Sequence, residues 1–575
     1  MAGLAVDGPC PAHLAGLLRA NLKVRTAVRP ARYRSKIAAD NHSGSGDAPN
    51  GVPPGRTSGG QAEGLGARRT RKGFLRIAAG GGALLALGAL AACEPDPRIR
   101  ASASPGSVGR RWAFRSRPDL SPPPVEVVRR SRGVAQGYLF TAPKNGLGEG
   151  YPAQDGPMIL DGEGRPEWFR PVPEEGQDAM DFRVQRYRGE PVLTWWQGVH
   201  GGWGDGEYLI LDRSYREVAK VRAGNGLAGD HHEFLVTERD TALFTIYRGV
   251  PMDLSAAGGP KQATVMDGIV QEVDIETGEV LFEWHSLEHV GFEESTAGPN
   301  PDQRDAYDYF HLNSVAEDND GNLLVGARKT SAVYKVDRES GEVIWRLGGK
   351  RSDFAMGEGA RFAFQHDARR QRDGTITLFD NRGEDMDEPS RGIRLGLDEE
   401  AMTAELASEY TVPEDPFATY QANVQDLPNG NVFVGWGSAP FLSEHTRDGA
   451  LLFEARFPET VESYRAFRSR WVGRPKDRPA VVAEVGSEEG SEGRVTLYVS
   501  WNGATEVASW EILTGPGPDW LEPLGSAPRK GFETQISFDT DEPYVAVRAK
   551  DRSGRNLGTS EAAKREAEAA ARRSP

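Results

Sequence analysis

Cysteine is almost missing from this 575-residue chain, which has only Cys10 and Cys93. Both are expected to lie outside the folded body, so no disulfide framework holds that body and a packed core must do so. A net basic balance is missing beyond the first 92 residues. Those carry 13 Lys or Arg against 4 Asp or Glu, so a chain total of −15 leaves −24 for the remainder. A nucleic-acid partner is excluded on that balance, because phosphate binding needs a basic footprint. Long apolar runs are missing too, except from Ile77 to Ala92, and no sustained helical period occurs anywhere.

That one apolar run is informative in its setting. TRKGFLRIAAGGGALLALGALAAC, from Thr70 to Cys93, has a basic start, an apolar middle and small residues before a cysteine. It reads as an export signal and not a spanning helix. Leu90, Ala91, Ala92 and Cys93 resemble a lipobox, with Cys93 as the lipidated new N-terminus. TRKGFLR resembles a twin-arginine signal with Lys72 in place of the second arginine, and the general secretory route stays open. The expected organisation is a disordered or mis-annotated extension at 1–67, the signal at 68–93 and a Ser, Pro and Arg rich flexible tether at 94–132. The product is expected outside the cell, lipid-anchored to the outer face of the cytoplasmic membrane.

Internal repetition sets the expected fold. A strand ending in a turn residue, usually Asp, followed by a second apolar strand, recurs in MILDGEGRPEWF at 158, LILDRSYREVAKV at 209, EVDIETGEVLFEW at 272, KVDRESGEVIWRL at 335, LGLDEEAMTAEL at 395 and, more weakly, HTRDGALLFEARF at 445. Six occurrences at intervals of roughly fifty to sixty residues suit four-stranded blades with loops. The expectation is an all-β chain: a six-bladed β-propeller over 133–475, then a small immunoglobulin-like or fibronectin-like β-sandwich over 478–560. The tail, 561–575, is helix-prone without an apolar face and is expected to be disordered.

In such a ring, residues at one register of different blades become neighbours. His232 in DHHEF, His311 in YFHLNSV and His366 in FQHDARR share a register, with Asp181 and Gln421 at the matching positions elsewhere. Three readings stay open on the residues alone. A water-filled channel accommodates polar side chains; three imidazoles with His231 nearby suit zinc or copper; or the centre holds an anion. Arg328, one strand pair after His311, opposes a cation, and its planar fork suits sulfate or phosphate oxygens. No metal and no cofactor is therefore expected. Tyr247, Trp436, Trp195 and Trp196 end strands near the expected mouth and are candidates for stacking on an aryl ring, with packing between blades as the alternative. His231, His285, His289 and His445 read as surface or structural.

YFHLNSV, GNLLVGARKTSAVYKVD, VIWRLGGKRSDF, FQHDARR and LFDN, in that order and spacing, resemble the arylsulfotransferase family of exported six-bladed propellers over roughly residues 133–475. WNGATEVASWEIL and GFET resemble the C-terminal extension of actinobacterial-type members. The resemblance implies sulfuryl transfer from a phenolic sulfate ester to a phenol without a nucleotide sulfate donor. It places His366 as the histidine that takes the sulfuryl group, and His232, His311 and Arg328 as the residues that hold the sulfate oxygens and assist the leaving group. Asn313 and Asn381 lie in the matching motifs and are expected to orient an imidazole or contact substrate. The alternative is a non-catalytic propeller that binds a partner or glycan at the cell surface, with a metal-dependent hydrolase or lyase third.

Overall fold

The computed structural model describes residues 98–103, 111–146, 150–173, 176–300, 302, 305–383, 388–485 and 493–567. The expected extension, export signal and lipidated Cys93 lie outside them. Apart from one helical turn, Ser286–His289, and two 3-10 turns, the regular elements are strands. None of the described helices is long and apolar enough to cross a membrane.

The repeated Asp has a local cause. Asp161, Asp212, Asp274, Asp337 and Asp398 each accept backbone N–H groups two to four residues on through one carboxylate oxygen, which closes the turn between two strands. In the weaker sixth copy Thr446 does this for Ala450.

Six antiparallel sets of four strands follow in chain order, and two of them carry a fifth strand: Ala355–Met356, parallel to Thr403–Tyr410, and Glu126–Arg130. Tyr138–Asn145, Met158–Leu160 and Pro166–Phe169 form the first, and its fourth strand comes from far along the chain, Val461–Ser469. The later units open on Asp178–Tyr187, Gly229–Val236, Leu312–Glu317, His366–Arg370 and Asn423–Asp426. A Gly206 to Gly229 pairing joins the second and third into one larger sheet.

Apolar side chains fill each gap between consecutive units. Phe140, Trp168, Phe182 and Trp195 lie between the first and second, and equivalent clusters follow along the chain. Leu139, Met158, Phe433 and Phe453 then bridge the sixth unit back to the first. With both faces of nearly every sheet covered, burial supplies the main stabilisation, at about 25 cal/mol per Å² of apolar surface.

A buried ionic cluster ties the opening strands together. Arg465 pairs with Asp181 at 3.1 Å and Glu233 at 3.0 Å and donates to the Asn313 carbonyl at 3.2 Å. Arg369 joins Glu233 to Asp367 and the Val315 carbonyl, and Asp367 accepts the Val424 N–H. One network thus reaches the Val461–Ser469 strand and the opening strands of the five later units.

Two further sheets lie toward the C-terminus. One pairs Arg100–Ala103, Glu533–Asp539, Arg494–Ser500, Ala480–Val485 and Glu566–Ala567; the other pairs Trp520–Pro528, Ser509–Gly517, Tyr544–Lys550, Asn556–Thr559 and Ala563–Lys564. They share the cluster around Leu497, Trp510, Ile536 and Val547.

Two expectations are corrected. The stretch expected to be a tether is built into the fold where it is described: Arg100–Ala103 is an edge strand, and Phe114, Leu120 and Val125 are buried. Phe114 packs on Phe532 at 4.3 Å, and Glu126–Arg130 pairs with Leu451–Arg456. Proline fixes an extended backbone without preventing burial of the apolar residues around it. Residues 563–567 of the expected disordered tail are also paired, because backbone groups on open sheet edges accept short strands whatever their side chains.

Candidate functional site

The register of the histidines is made by recurring irregularities. Pairing slips at Met180/Arg183, Gly229/Phe234, Leu312/Ser314, His366/Arg369 and, on the returning strand, Ser463/Ala466. Each bulge bends its strand and re-aims a side chain. Asp181, His311, Asp367 and Gln421 accompany these sites in the left-handed region at φ 58°, 54°, 58° and 68°. Such backbone is costly for non-glycine residues and persists only where the surroundings enforce it.

The structure brings His232, His311, His366 and Arg328 to one cavity of about 340 Å³. The His232 and His311 rings meet edge-on at 5.1 Å. Their partners separate the three imidazoles into two kinds. His232 Nδ1 faces Asp230 Oδ1 at 2.5 Å, and His311 Nδ1 is bonded to Asp308. His366 Nδ1 instead faces the amide oxygen of Asn381 at 2.8 Å. The Asn381 amide is itself fixed, since its Nδ2 donates to the carbonyls of Ala418 and Gln421.

Electrostatics follow the same division. Burial, with the Arg328 guanidinium adding to it, holds His366 well below the ordinary imidazole range, so the ring is neutral. Its Nδ1 carries the hydrogen donated to Asn381 and its Nε2 lone pair faces the cavity, where it accepts the Gln421 backbone N–H at 3.1 Å. Burial also lowers His311, against the opposing pull of Asp308. Burial would raise Asp230, but His232 and His231 outweigh it and hold the carboxyl well below the carboxylate range. Asp308 is lowered by His311 in the same way, again against burial.

Arg328 places its guanidinium over the Phe364 ring at 4.7 Å and reaches the Thr419 carbonyl at 3.3 Å. Tyr247 donates to the Leu312 carbonyl at 2.7 Å, with its ring 5.7 Å from His232 and 6.0 Å from His311.

Other sequence candidates lie elsewhere. Trp436 is buried between the fifth and sixth units, packed on Phe379 and bonded to Ser443. It does not line the cavity, because its side chain packs into the apolar seam between these two units. Trp195 is likewise in the core, and Trp196 backs His231 at 5.4 Å. Asn313 does not line the cavity; it holds the Gln365 carbonyl at 2.7 Å, directly ahead of His366. His285, His289 and His445 are away from the site.

Cavity residues that no sequence pattern singled out include His200, Lys144, Tyr420, Glu462 and Tyr464. His231 also lines the cavity and is buried and neutral, pushed by burial to about 3, which corrects its assignment as surface or structural. The His-His pair was the available signal. His200 sits 2.7 Å from Asp178 at the end of a strand that runs into a glycine-rich turn. Lys144 and Glu462 form a buried ion pair across the first unit.

Asp230, His231 and His232 bring potential metal ligands within 4.8 Å of one another. The Asp230 carboxylate is already committed, however. One oxygen takes the His232 N–H and faces its Nδ1 and Thr245, and the other takes the Gly204 N–H at 2.6 Å. A cation there would have to displace hydrogen bonds that fix the loop.

A family model described as Arylsulfotransferase (ASST) matches residues 183–458. No curated protein matches the chain. Solved structures with a slight likeness include a protein of unknown function from Bacteroides caccae, 12% identical with a TM-score of 0.35 over 58% of this chain and 100% of that one. A catalytically inactive virginiamycin B lyase from Staphylococcus aureus is 8% identical, TM-score 0.31, over 72% and 98%. The Cps50 (Swd1) β-propeller domain from Myceliophteria thermophila is 11% identical, TM-score 0.29, over 63% and 100%. The matched residues, 183–458, hold His232, His311, Arg328 and His366, so the part of the chain similar to the arylsulfotransferase family includes these four cavity residues.

Proposed function

We propose that this protein transfers a sulfuryl group from a phenolic sulfate ester to a phenol, in two steps through a sulfohistidine at His366, and that its six four-stranded units form a propeller followed by an immunoglobulin-like sandwich. The observation that carries the mechanism is the difference in backing: two imidazoles on carboxylates, one on an amide, all on one cavity.

A neutral imidazole whose Nε2 lone pair is unprotonated is a competent nucleophile. In the first step the His366 Nε2 to sulfur bond forms, the sulfur to aryl-oxygen bond breaks, and the electron pair leaves on the phenolate. The Gln421 N–H must swing off the lone pair for this. Arg328 meets charge on the sulfuryl oxygens, while a carboxylate-backed imidazole protonates the leaving oxygen. In the second step an acceptor oxygen attacks sulfur, its proton passes to that imidazole, and the electron pair returns to His366.

The amide partner suits this cycle. It accepts the Nδ1–H of the sulfonated ring without neutralising it, so the ring remains a good leaving group. Tyr464 lines the cavity and Arg465, next in sequence, is fully buried in ion pairs. Donor and acceptor therefore use one chamber in turn.

Export and lipid anchoring at Cys93 on the outer face of the cytoplasmic membrane complete the proposal, on sequence grounds. The deciding experiment gives purified protein 4-nitrophenyl sulfate with and without phenol. Sustained nitrophenol release should require phenol, and His366→Asn should abolish it along with any acid-labile sulfated intermediate. Release by water alone would instead indicate a sulfatase. No turnover with a donor panel would favour the binding scaffold.

A further inference from the structure

We propose that Gln421 is the acceptor-reading residue of the transfer site, and that its side-chain oxygen selects acceptors carrying a second hydroxyl, that is, dihydroxyaryl compounds. The proposal rests on the sulfohistidine reading above.

Gln421 is 8% exposed, lines the cavity, and is tied to the nucleophile through its backbone N–H on His366 Nε2. Its side chain is oriented by an anchor that leaves no ambiguity. The Glu462 carboxylate offers only acceptors, so the Gln421 group 3.1 Å from Glu462 Oε1 is the NH₂. Glu462 is in turn held by Lys144, directly opposite on the neighbouring strand, and by the Tyr420 hydroxyl at 3.2 Å. The amide oxygen therefore points away from Glu462.

That oxygen, Gln421 Oε1, is buried and has no hydrogen-bond partner among the described residues. Buried carbonyl-type acceptors are nearly always satisfied, and because Gln421 is a lining residue of the cavity, a ligand donor bound there is the partner this oxygen lacks. Among the reactants proposed here, the sulfate ester brings oxygens that only accept. The acceptor brings hydroxyl hydrogens.

One hydrogen cannot serve two roles. The reacting hydroxyl gives its proton to a carboxylate-backed imidazole as the oxygen to sulfur bond forms and the sulfur to His366 Nε2 bond breaks. An amide oxygen cannot take a proton at neutral pH, so Gln421 Oε1 satisfies a hydrogen that stays on the acceptor. A second hydroxyl on the ring supplies it.

The test compares hydroquinone, resorcinol and catechol with their monomethyl ethers, each pair differing by one hydroxyl hydrogen. With 4-nitrophenyl sulfate as donor, wild-type kcat/KM should favour at least one diol over its ether by about 10- to 100-fold, the size expected from leaving a buried acceptor unmade. Gln421→Met should remove most of that preference by raising the diol KM more than that of the ether. Gln421→Ala, a second replacement without the oxygen, should behave alike. Calorimetric titration of the same diols and ethers reads the hydroxyl directly and needs no turnover. Failure of every aryl sulfate as donor would overturn the transfer reading, and the titration would still decide this one. Equal affinity for diol and ether in the wild type, or a preference unchanged in both variants, overturns the proposal.

Discussion

His366 and Asn381 meet through Nδ1 and Oδ1 at 2.8 Å, and the asparagine is held from behind by two backbone carbonyls. An amide in this position fixes the tautomer without adding charge. Replacing it by a carboxylate, Asn381→Asp, should raise the proton affinity of His366, because an opposite charge favours the protonated ring. The variant should lose about 10- to 100-fold in kcat/KM at pH 7 and regain part of it at pH 9. A pH profile of 4-nitrophenyl sulfate turnover checks this, and a profile parallel to the wild type would contradict it.

Arg465 is fully buried between Asp181 and Glu233. Arg465→Met removes the cation and leaves two buried carboxylates short of a partner, a change that costs about 3–5 kcal/mol. Urea unfolding should show it. Arg351, more than half exposed and 3.3 Å from an exposed Glu293, is the contrast: Arg351→Met should change stability by less than about 1 kcal/mol.

Stability should fall on mild acidification, and His445 is a clean probe because it is remote from the cavity. Burial pushes it down to about 4, against the pull of the Gly449 carbonyl. It is satisfied as the neutral ring, with Ser443 on Nε2 and the Gly449 carbonyl on Nδ1. The folded pKa lies below the unfolded one, near 6.5, so the unfolded chain binds more protons as pH drops. The contribution is complete above about pH 6.5 and is lost progressively down to about 4. From pH 8 to pH 5 this one residue should account for about 2 kcal/mol. His445→Gln should flatten the dependence of chemical unfolding on pH by that amount.

The parts of the fold that repeat were legible in the sequence, because each strand pair carries its own turn chemistry: Asp274 and Asp337 close the same turn with the same bonds. The in-register histidines were legible for the same reason. The rest depended on contacts that no local pattern encodes. Lys144 and Glu462 face each other only because Val461–Ser469 returns to the first sheet. Trp436 has the same strand-end position as a site aromatic, yet it packs into a seam. The proline-rich stretch around Leu120 looked unstructured because composition records backbone stiffness and not the groove that receives it.

Arg328 is positioned by two contacts beside the cavity it lines. Its guanidinium carbon sits 4.7 Å from the centre of the Phe364 ring, with one nitrogen on the Thr419 carbonyl. Both contacts hold the fork as well as the charge in place. Arg328→Lys keeps the charge and loses the plane, and a point cation does not replace a bidentate donor for a pair of sulfuryl oxygens. The variant should lose about 100-fold in the donor half-reaction, and inorganic sulfate should inhibit it less than the wild type, since both effects read the same oxygen contacts. Should the lysine variant keep wild-type burst kinetics and sulfate inhibition, Arg328 would act through its charge alone. Dialysis against a chelator should leave all these rates unchanged, because the Asp230 carboxylate is committed to hydrogen-bond donors; loss of rate that zinc restores would return the Asp230, His231 and His232 cluster to the role of metal ligands.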